Sequence, residues 1–146
     1  MTRGRRPLNA LDEAVEIAGR RGDVERVCGR RTMAFDFIII EEFRVVFVKV
    51  KRSQTSFTYP FDVLCKYQRE LACLHRVSLT WATAREFWCR APDGTWQFFL
   101  VRHDSIVEVR ADGMFIPRES VPIETVDLSE TPADGDDSDS PSDGRE

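Results

Sequence analysis

The chain has 146 residues, of which 42% are hydrophobic, and a formal net charge of −4 at pH 7. This length and apolar content are typical of one domain with one hydrophobic core. The sequence contains no run of about 18 apolar residues that could span a membrane, and its basic start lacks the apolar segment of a secretory signal. We therefore expect a cytoplasmic protein that does not enter membranes.

The charge is distributed unevenly along the chain. Residues 119–146 contain ten acidic residues and one arginine, a formal charge of −9, so residues 1–118 carry +5. Within the last eighteen residues, 129–146, acids, serines, glycines and prolines predominate, and such a segment buries too little apolar surface to offset the entropy lost on ordering. We predict one domain over 1–128 and a disordered acidic tail over 129–146.

The first predicted elements are a helix and a short ambiguous stretch. Leu8, Leu11, Val15 and Ala18 form an apolar stripe at helical spacing, which predicts an amphipathic helix over 8–18. Residues 24–28 fit either a short helix or the lead into a strand.

A β-hairpin is predicted next. Residues 34–40 and 44–51 are dense in β-branched and aromatic side chains and are too short for helices, so both are predicted strands. Only residues 41–43 connect them, which favours antiparallel pairing. Because side chains alternate between the faces of a strand, Lys49 and Lys51 lie on one face and Val46, Val48 and Val50 on the other.

The second half of the chain predicts a crossover and further strands. Pro60 opens an amphipathic helix that extends to Leu74, and residues 77–83 alternate like a strand. A right-handed β-α-β crossover would join the hairpin to this strand. Residues 86–90 and 95–102 flank a turn sequence at 91–94 and predict a second hairpin, which a short strand over 105–110 follows. The fold class is an α/β sandwich with a mixed central sheet.

The cysteines do not suggest a metal site. Cys28, Cys65, Cys73 and Cys89 have neither a C-x-x-C pair nor a nearby histidine pair, so their spacing is unlike that of zinc ligands. Cys65, Cys73 and Cys89 lie among large apolar residues and are predicted to be buried, reduced thiols. Trp81, Trp88 and Trp96 are interpreted as strand residues that pack in the core or on the sheet.

One constellation resembles a known family. Asp36 in the first hairpin strand, followed by Lys49, Val50, Lys51 and Arg52 at the end of the second, resembles the core of the restriction-endonuclease-like PD-(D/E)xK nucleases. This superfamily includes archaeal Holliday-junction resolvases and many restriction and repair enzymes. The resemblance covers about residues 8–84, counting the first helix, the hairpin, the crossover helix and the strand after it.

The resemblance implies a restriction-endonuclease-like fold in a prokaryotic, archaeal protein and a Mg²⁺-dependent endonuclease chemistry. In that family, carboxylates hold Mg²⁺ against a phosphate, and a lysine stabilises charge or orients the attacking water. Asp36 matches the metal ligand and Lys51 matches the lysine, so these two are the candidate catalytic residues. Lys49 stands where the family has its second acid, and this exchange of a carboxylate for an ammonium weakens metal binding.

Other acids could replace the missing ligand. Asp62, near the start of the crossover helix, is the candidate second metal ligand beside Asp36, although an acid there also suits the helix dipole. Glu13 or Glu16 on the first helix is the other candidate, and either could equally belong to a solvated helix face. Asp36 itself has an alternative, since a salt bridge to Lys49 or Lys51 would satisfy it without a metal.

Lys49, Lys51 and Arg52 form a basic cluster that is expected to contact the phosphates of DNA. Other arginines could add to it or be ordinary surface charges: Arg3, Arg5, Arg6, Arg20, Arg21, Arg30 and Arg31.

Two functional hypotheses follow. The first is a DNA-binding protein with a nuclease-like fold, in which a degenerate site either retains phosphodiesterase activity with Mg²⁺ or has lost it, and which acts as a homodimer if it cuts both strands. The second is a non-catalytic interaction module that retains the fold. In either case the acidic tail is regulatory or solubilising, and a regulatory tail would compete with nucleic acid for the basic surface.

Overall fold

The computed structural model describes residues 9–27 and 34–116. All of the described residues belong to one compact unit, which lies within residues 1–116. The predicted tail, the predicted boundary at residue 128, Cys28 and five of the arginines lie outside the described residues. The helices and strands are α1 (Ala10–Ala18), β1 (Asp23–Arg26), β2 (Phe37–Ile40), β3 (Val45–Arg52), α2 (Pro60–Lys66), α3 (Gln68–Leu74), β4 (Thr83–Arg90), β5 (Trp96–Val101) and β6 (Ile106–Val109).

The six strands form one sheet in which their spatial order follows their order in the sequence. β3 and β4 are parallel, while the other neighbouring strands are antiparallel. The sheet is therefore mixed, and the predicted β2–β3 hairpin is confirmed. The crossover from β3 to β4 runs through α2 and α3. None of the described helices is long and apolar enough to cross a membrane.

Helices cover both faces of the sheet, which confirms the α/β sandwich. On one face, Ala14 and Ala18 of α1 pack in a cluster that includes Val46 and Val48 of β3. On the other face, α2 and α3 bury a second cluster, against which Phe47 packs. The predicted alternation along β3 is thus confirmed. The main members of the second cluster are Val63, Tyr67, Leu71, Leu74, Phe87, Cys89, Phe99 and Val101.

The predicted strand over 77–83 is wrong. Residues 77–82 form an irregular connection that is closed by Thr80, whose N–H donates to Oγ1 of Thr83 at 2.8 Å. β4 begins at Thr83, so the predicted strand over 86–90 is the last five residues of an eight-residue strand. Trp81, interpreted as a packing residue, is 93% exposed, because a polar turn and not a sheet contains it.

The predicted helix from Pro60 to Leu74 is divided in two at Tyr67. This residue leaves helical geometry, with φ −114° and ψ 37°. Its ring is buried in edge and tilted contacts with Phe57 and Phe87, and its hydroxyl donates to the carbonyl oxygen of Arg52 at 3.4 Å. The tertiary contacts of one aromatic side chain therefore decide where the helix breaks.

The described cysteines are free, as predicted, but they are not all buried. Cys89 in β4 is 1% exposed, and burial raises the pKa of its thiol to about 12. Cys65 is exposed and Cys73 is partly exposed, so the prediction of three buried thiols is wrong for both and holds for Cys89. For Cys65 the reason is that it lies on the outer side of α2.

Candidate nucleic-acid interface

Asp36 lies directly before β2 and is held by β3. The next residue, Phe37, pairs with Val48, so Asp36 lies opposite Lys49. The Oδ2 atom of Asp36 accepts a hydrogen bond from the N–H of Val50 at 2.7 Å, and Oδ1 lies 3.4 Å from Nζ of Lys49. Of the two salt bridges that the sequence left open for Asp36, the one to Lys49 is formed.

Lys51 has a different partner. Its Nζ lies 3.1 Å from Oε1 of Glu70, in the first turn of α3. Partial burial opposes ionisation of Glu70, but hydrogen bonds from its own backbone N–H and from Lys51 hold its pKa below the ordinary value. Glu70 is a residue that the sequence reasoning missed, because nothing in the local pattern sets it apart from the other polar positions of the helix.

Asp36, Lys51 and Arg52 line one groove. This groove has a volume of about 270 Å³ and lies where β3 ends beside the start of α1. The structure thus brings both candidate catalytic residues together with a basic residue of the predicted DNA-binding cluster. The remaining lining comes from Val50 and from the start of α1, Asn9, Ala10 and Leu11.

Glu13 of α1 is engaged by an ion pair near this end of the sheet. Its Oε2 accepts hydrogen bonds from Nε of Arg90 at 2.7 Å and from Nε1 of Trp96 at 3.3 Å. The hydrogen bond from Arg90 is the main reason that the pKa of Glu13 lies below its ordinary value. Arg90 pairs in register with Arg52, so Glu13 neutralises a basic residue next to the groove. Glu16 is exposed.

The structure does not bring Asp62 to Asp36. Asp62 is exposed in the first turn of α2, a helix that packs against β6, whereas Asp36 precedes β2 on the other side of the sheet's centre. Within residues 9–27 and 34–116, no group of three or more histidine, cysteine or acidic side chains is placed to hold a metal ion. Mg²⁺ prefers octahedral oxygen ligands, and Asp36 is the groove's one described carboxylate, so these donors do not fit Mg²⁺.

Two of the arginines considered from the sequence lie elsewhere. Arg20 and Arg21 line a separate cavity of about 580 Å³ beside the β2–β3 turn. The side chain of Arg21 is 5% exposed and bound to Glu86 and Glu41, so it is a structural residue and not a surface charge. Sequence reasoning missed this network because Arg21 and Glu86 are 65 positions apart.

Comparisons with known proteins add no relative to these observations. Searches of protein families, of curated proteins and of solved structures find no match to the chain.

Proposed function

We propose that this chain is a DNA-binding protein with a restriction-endonuclease-like fold, which contacts the phosphate backbone through the groove and does not cleave it. The observation that carries the proposal is the placement of Lys51 and Arg52 in one groove with Asp36. The order of elements supports the fold. A helix, a hairpin with Asp36 and Lys51 on its strands, a crossover through helices and a parallel strand follow one another as the family resemblance implies.

The charge at the groove favours an anionic ligand. Among the residues that line it, Lys51 and Arg52 are cations and Asp36 is the one acid. Arg52 is exposed, and a guanidinium can bind a phosphate through two parallel hydrogen bonds. The excess of basic residues over 1–118 adds a long-range attraction for a polyanion.

The same contacts argue against cleavage. A metal-dependent phosphodiesterase needs carboxylates that are open to the metal, whereas both oxygens of Asp36 already have partners on β3, Lys49 and the N–H of Val50. The Lys49 ammonium neutralises Asp36 at the position that a metal ion would need. We therefore expect binding without hydrolysis.

The test is fluorescence anisotropy with a labelled DNA duplex at several salt concentrations. Wild type should bind, and the logarithm of its binding constant should fall linearly with the logarithm of the salt concentration. Replacing Lys51 and Arg52 together by alanine should weaken binding by about tenfold or more and reduce the salt slope by about two. The matched control, Arg76→Ala with Arg110→Ala, also removes two exposed arginine charges and should have a much smaller effect.

Three outcomes contradict the proposal. They are absence of binding by wild type, equal losses in the groove variant and the control, and cleavage of supercoiled, linear or branched DNA with Mg²⁺ or Mn²⁺ that Asp36→Asn abolishes. The last outcome would restore the enzyme hypothesis.

A further inference from the structure

We infer that Glu70 masks Lys51, so that a phosphate must displace this carboxylate before Lys51 can bind it. The inference rests on the proposed function and names a residue that regulates the groove through its contact with Lys51. It follows from the way in which α3 is attached to the last two residues of β3.

Two contacts fasten the start of α3 to the end of β3. Tyr67 donates its hydroxyl hydrogen to the carbonyl oxygen of Arg52, and Glu70 accepts from Lys51 one helical turn later. Leu71, next to Glu70, is 3% exposed in the core under the helices. Because the backbone on both sides of Glu70 is anchored, its carboxylate is kept within reach of Lys51.

The Lys51–Glu70 pair is partly exposed to solvent. The side chains are 39% and 24% exposed, so salt screens this pair less than it screens two fully exposed charges. A phosphate that enters the groove meets Lys51 already neutralised, and it brings its own negative charge toward Glu70. The carboxylate therefore competes for the cation and repels the ligand.

Arg52 differs from its neighbour Lys51. Within the described residues no carboxylate forms an ion pair with its guanidinium, and Glu13, whose pKa the Arg52 charge helps to lower, is bound to Arg90. Arg52 is thus ready for a first phosphate, whereas Lys51 becomes available only after an exchange of partners. A ligand with several linked phosphates, such as a DNA strand, can drive that exchange better than a single phosphate because its first contact raises the local concentration of the second.

The test compares Glu70→Gln, Lys51→Ala and the double variant in duplex binding, with Glu16→Gln as the control for loss of one exposed acid. Glu70→Gln keeps the shape of the side chain and should tighten binding about two- to fivefold, the range expected for release of a partly exposed ion pair. In the Lys51→Ala background, Glu70→Gln should change the affinity for the duplex by no more than Glu16→Gln does. The carboxyl pKa of Glu70, followed by NMR in the free protein, should rise when Lys51 is replaced.

The outcomes separate this inference from the proposed function. If wild type binds DNA but Glu70→Gln weakens binding, or tightens it equally with and without Lys51, masking is wrong while DNA binding stands. An unchanged Glu70 pKa in Lys51→Ala also overturns masking, and this measurement does not require DNA. Absence of DNA binding by wild type overturns both proposals.

Discussion

The guanidinium of Arg21 binds the carboxylate of Glu86 through two parallel hydrogen bonds, from Nη1 to Oε2 at 2.8 Å and from Nη2 to Oε1 at 2.9 Å. Both side chains are almost fully buried, at 5% and 1% exposure. Glu86 also accepts from Nε1 of Trp88, and Arg21 also donates to Glu41. This network ties the turn after α1 to the centre of β4.

Replacing Arg21 by methionine should destabilise the fold by about 3 kcal/mol or more, because it leaves the buried carboxylate of Glu86 without its cation. Urea unfolding measures the loss. Arg21→Met combined with Glu86→Leu should recover much of it, since the unpaired charge is then gone. Arg26→Met removes an exposed ion pair with Asp12 and should change stability by less than about 1 kcal/mol. Equal effects of Arg21→Met and Arg26→Met would contradict the assignment.

Gly22 leaves no room for a side chain. A Cβ atom there would overlap the carbonyl oxygen of Ile40, so Gly22→Ala should destabilise the protein by about 1–3 kcal/mol as backbone atoms shift. Gly19→Ala is the matched control. Its Cβ would meet only ordinary contacts at 3.5 Å in a right-handed helical conformation, so it should be neutral or stabilising by about 0.5 kcal/mol. The unfolding midpoints of both variants measure these effects. An unchanged midpoint in Gly22→Ala would contradict the close approach of Gly22 to the carbonyl oxygen of Ile40.

Lys49→Glu tests whether Lys49 keeps metals from Asp36. The substitution places a carboxylate directly opposite Asp36, which should lower stability without a metal because like charges face each other across two strands. Mn²⁺ or Mg²⁺ should then raise the melting temperature. A free metal concentration of roughly 100 times its Kd for the variant would stabilise the fold by about 2.7 kcal/mol.

The control for this substitution is Lys49→Gln, which removes the ammonium without adding a carboxylate. We expect no metal-dependent shift in Lys49→Gln or in wild type. A shift of similar size in all three proteins would show that the metal binds elsewhere, and the absence of any shift in Lys49→Glu would show that the remaining geometry does not suit a metal.

The ion pair of Glu13 with Arg90 predicts an acid-sensitive contribution to stability. Because the pKa of Glu13 is lowered in the folded protein, this contribution is present above the ordinary pKa of a glutamate carboxyl and is lost as the pH falls through the lowered value. The urea midpoint of Glu13→Gln should therefore approach that of wild type in acid and fall below it near neutral pH. Glu16→Gln, at an exposed position of the same helix, should follow wild type closely, and parallel curves for wild type and Glu13→Gln would refute the prediction.

Local patterns predicted most of the elements. The apolar stripe of α1, the β-branched segments of the β2–β3 hairpin and the turn at 91–94 each carry their signal within a few residues. The strand predicted over 77–83 failed because Val77, Leu79 and Trp81 alternate like strand residues, while the hydrogen bonds of Thr80 close a turn there. The break at Tyr67 was missed because its cause is packing against residues distant in the sequence.

By itself, the sequence determined which faces β3 presents and that Asp36, Lys51 and Arg52 come to the same end of the hairpin, since side-chain alternation and hairpin pairing are local. Only the tertiary structure decided which carboxylate neutralises which cation. Lys49 forms an ion pair with Asp36, Lys51 with Glu70, and Arg21 with Glu86. These pairings depend on the strand register and on how the helices pack on the sheet. Packing brings together residues that are far apart in the chain, and no local sequence pattern indicates which of them will meet.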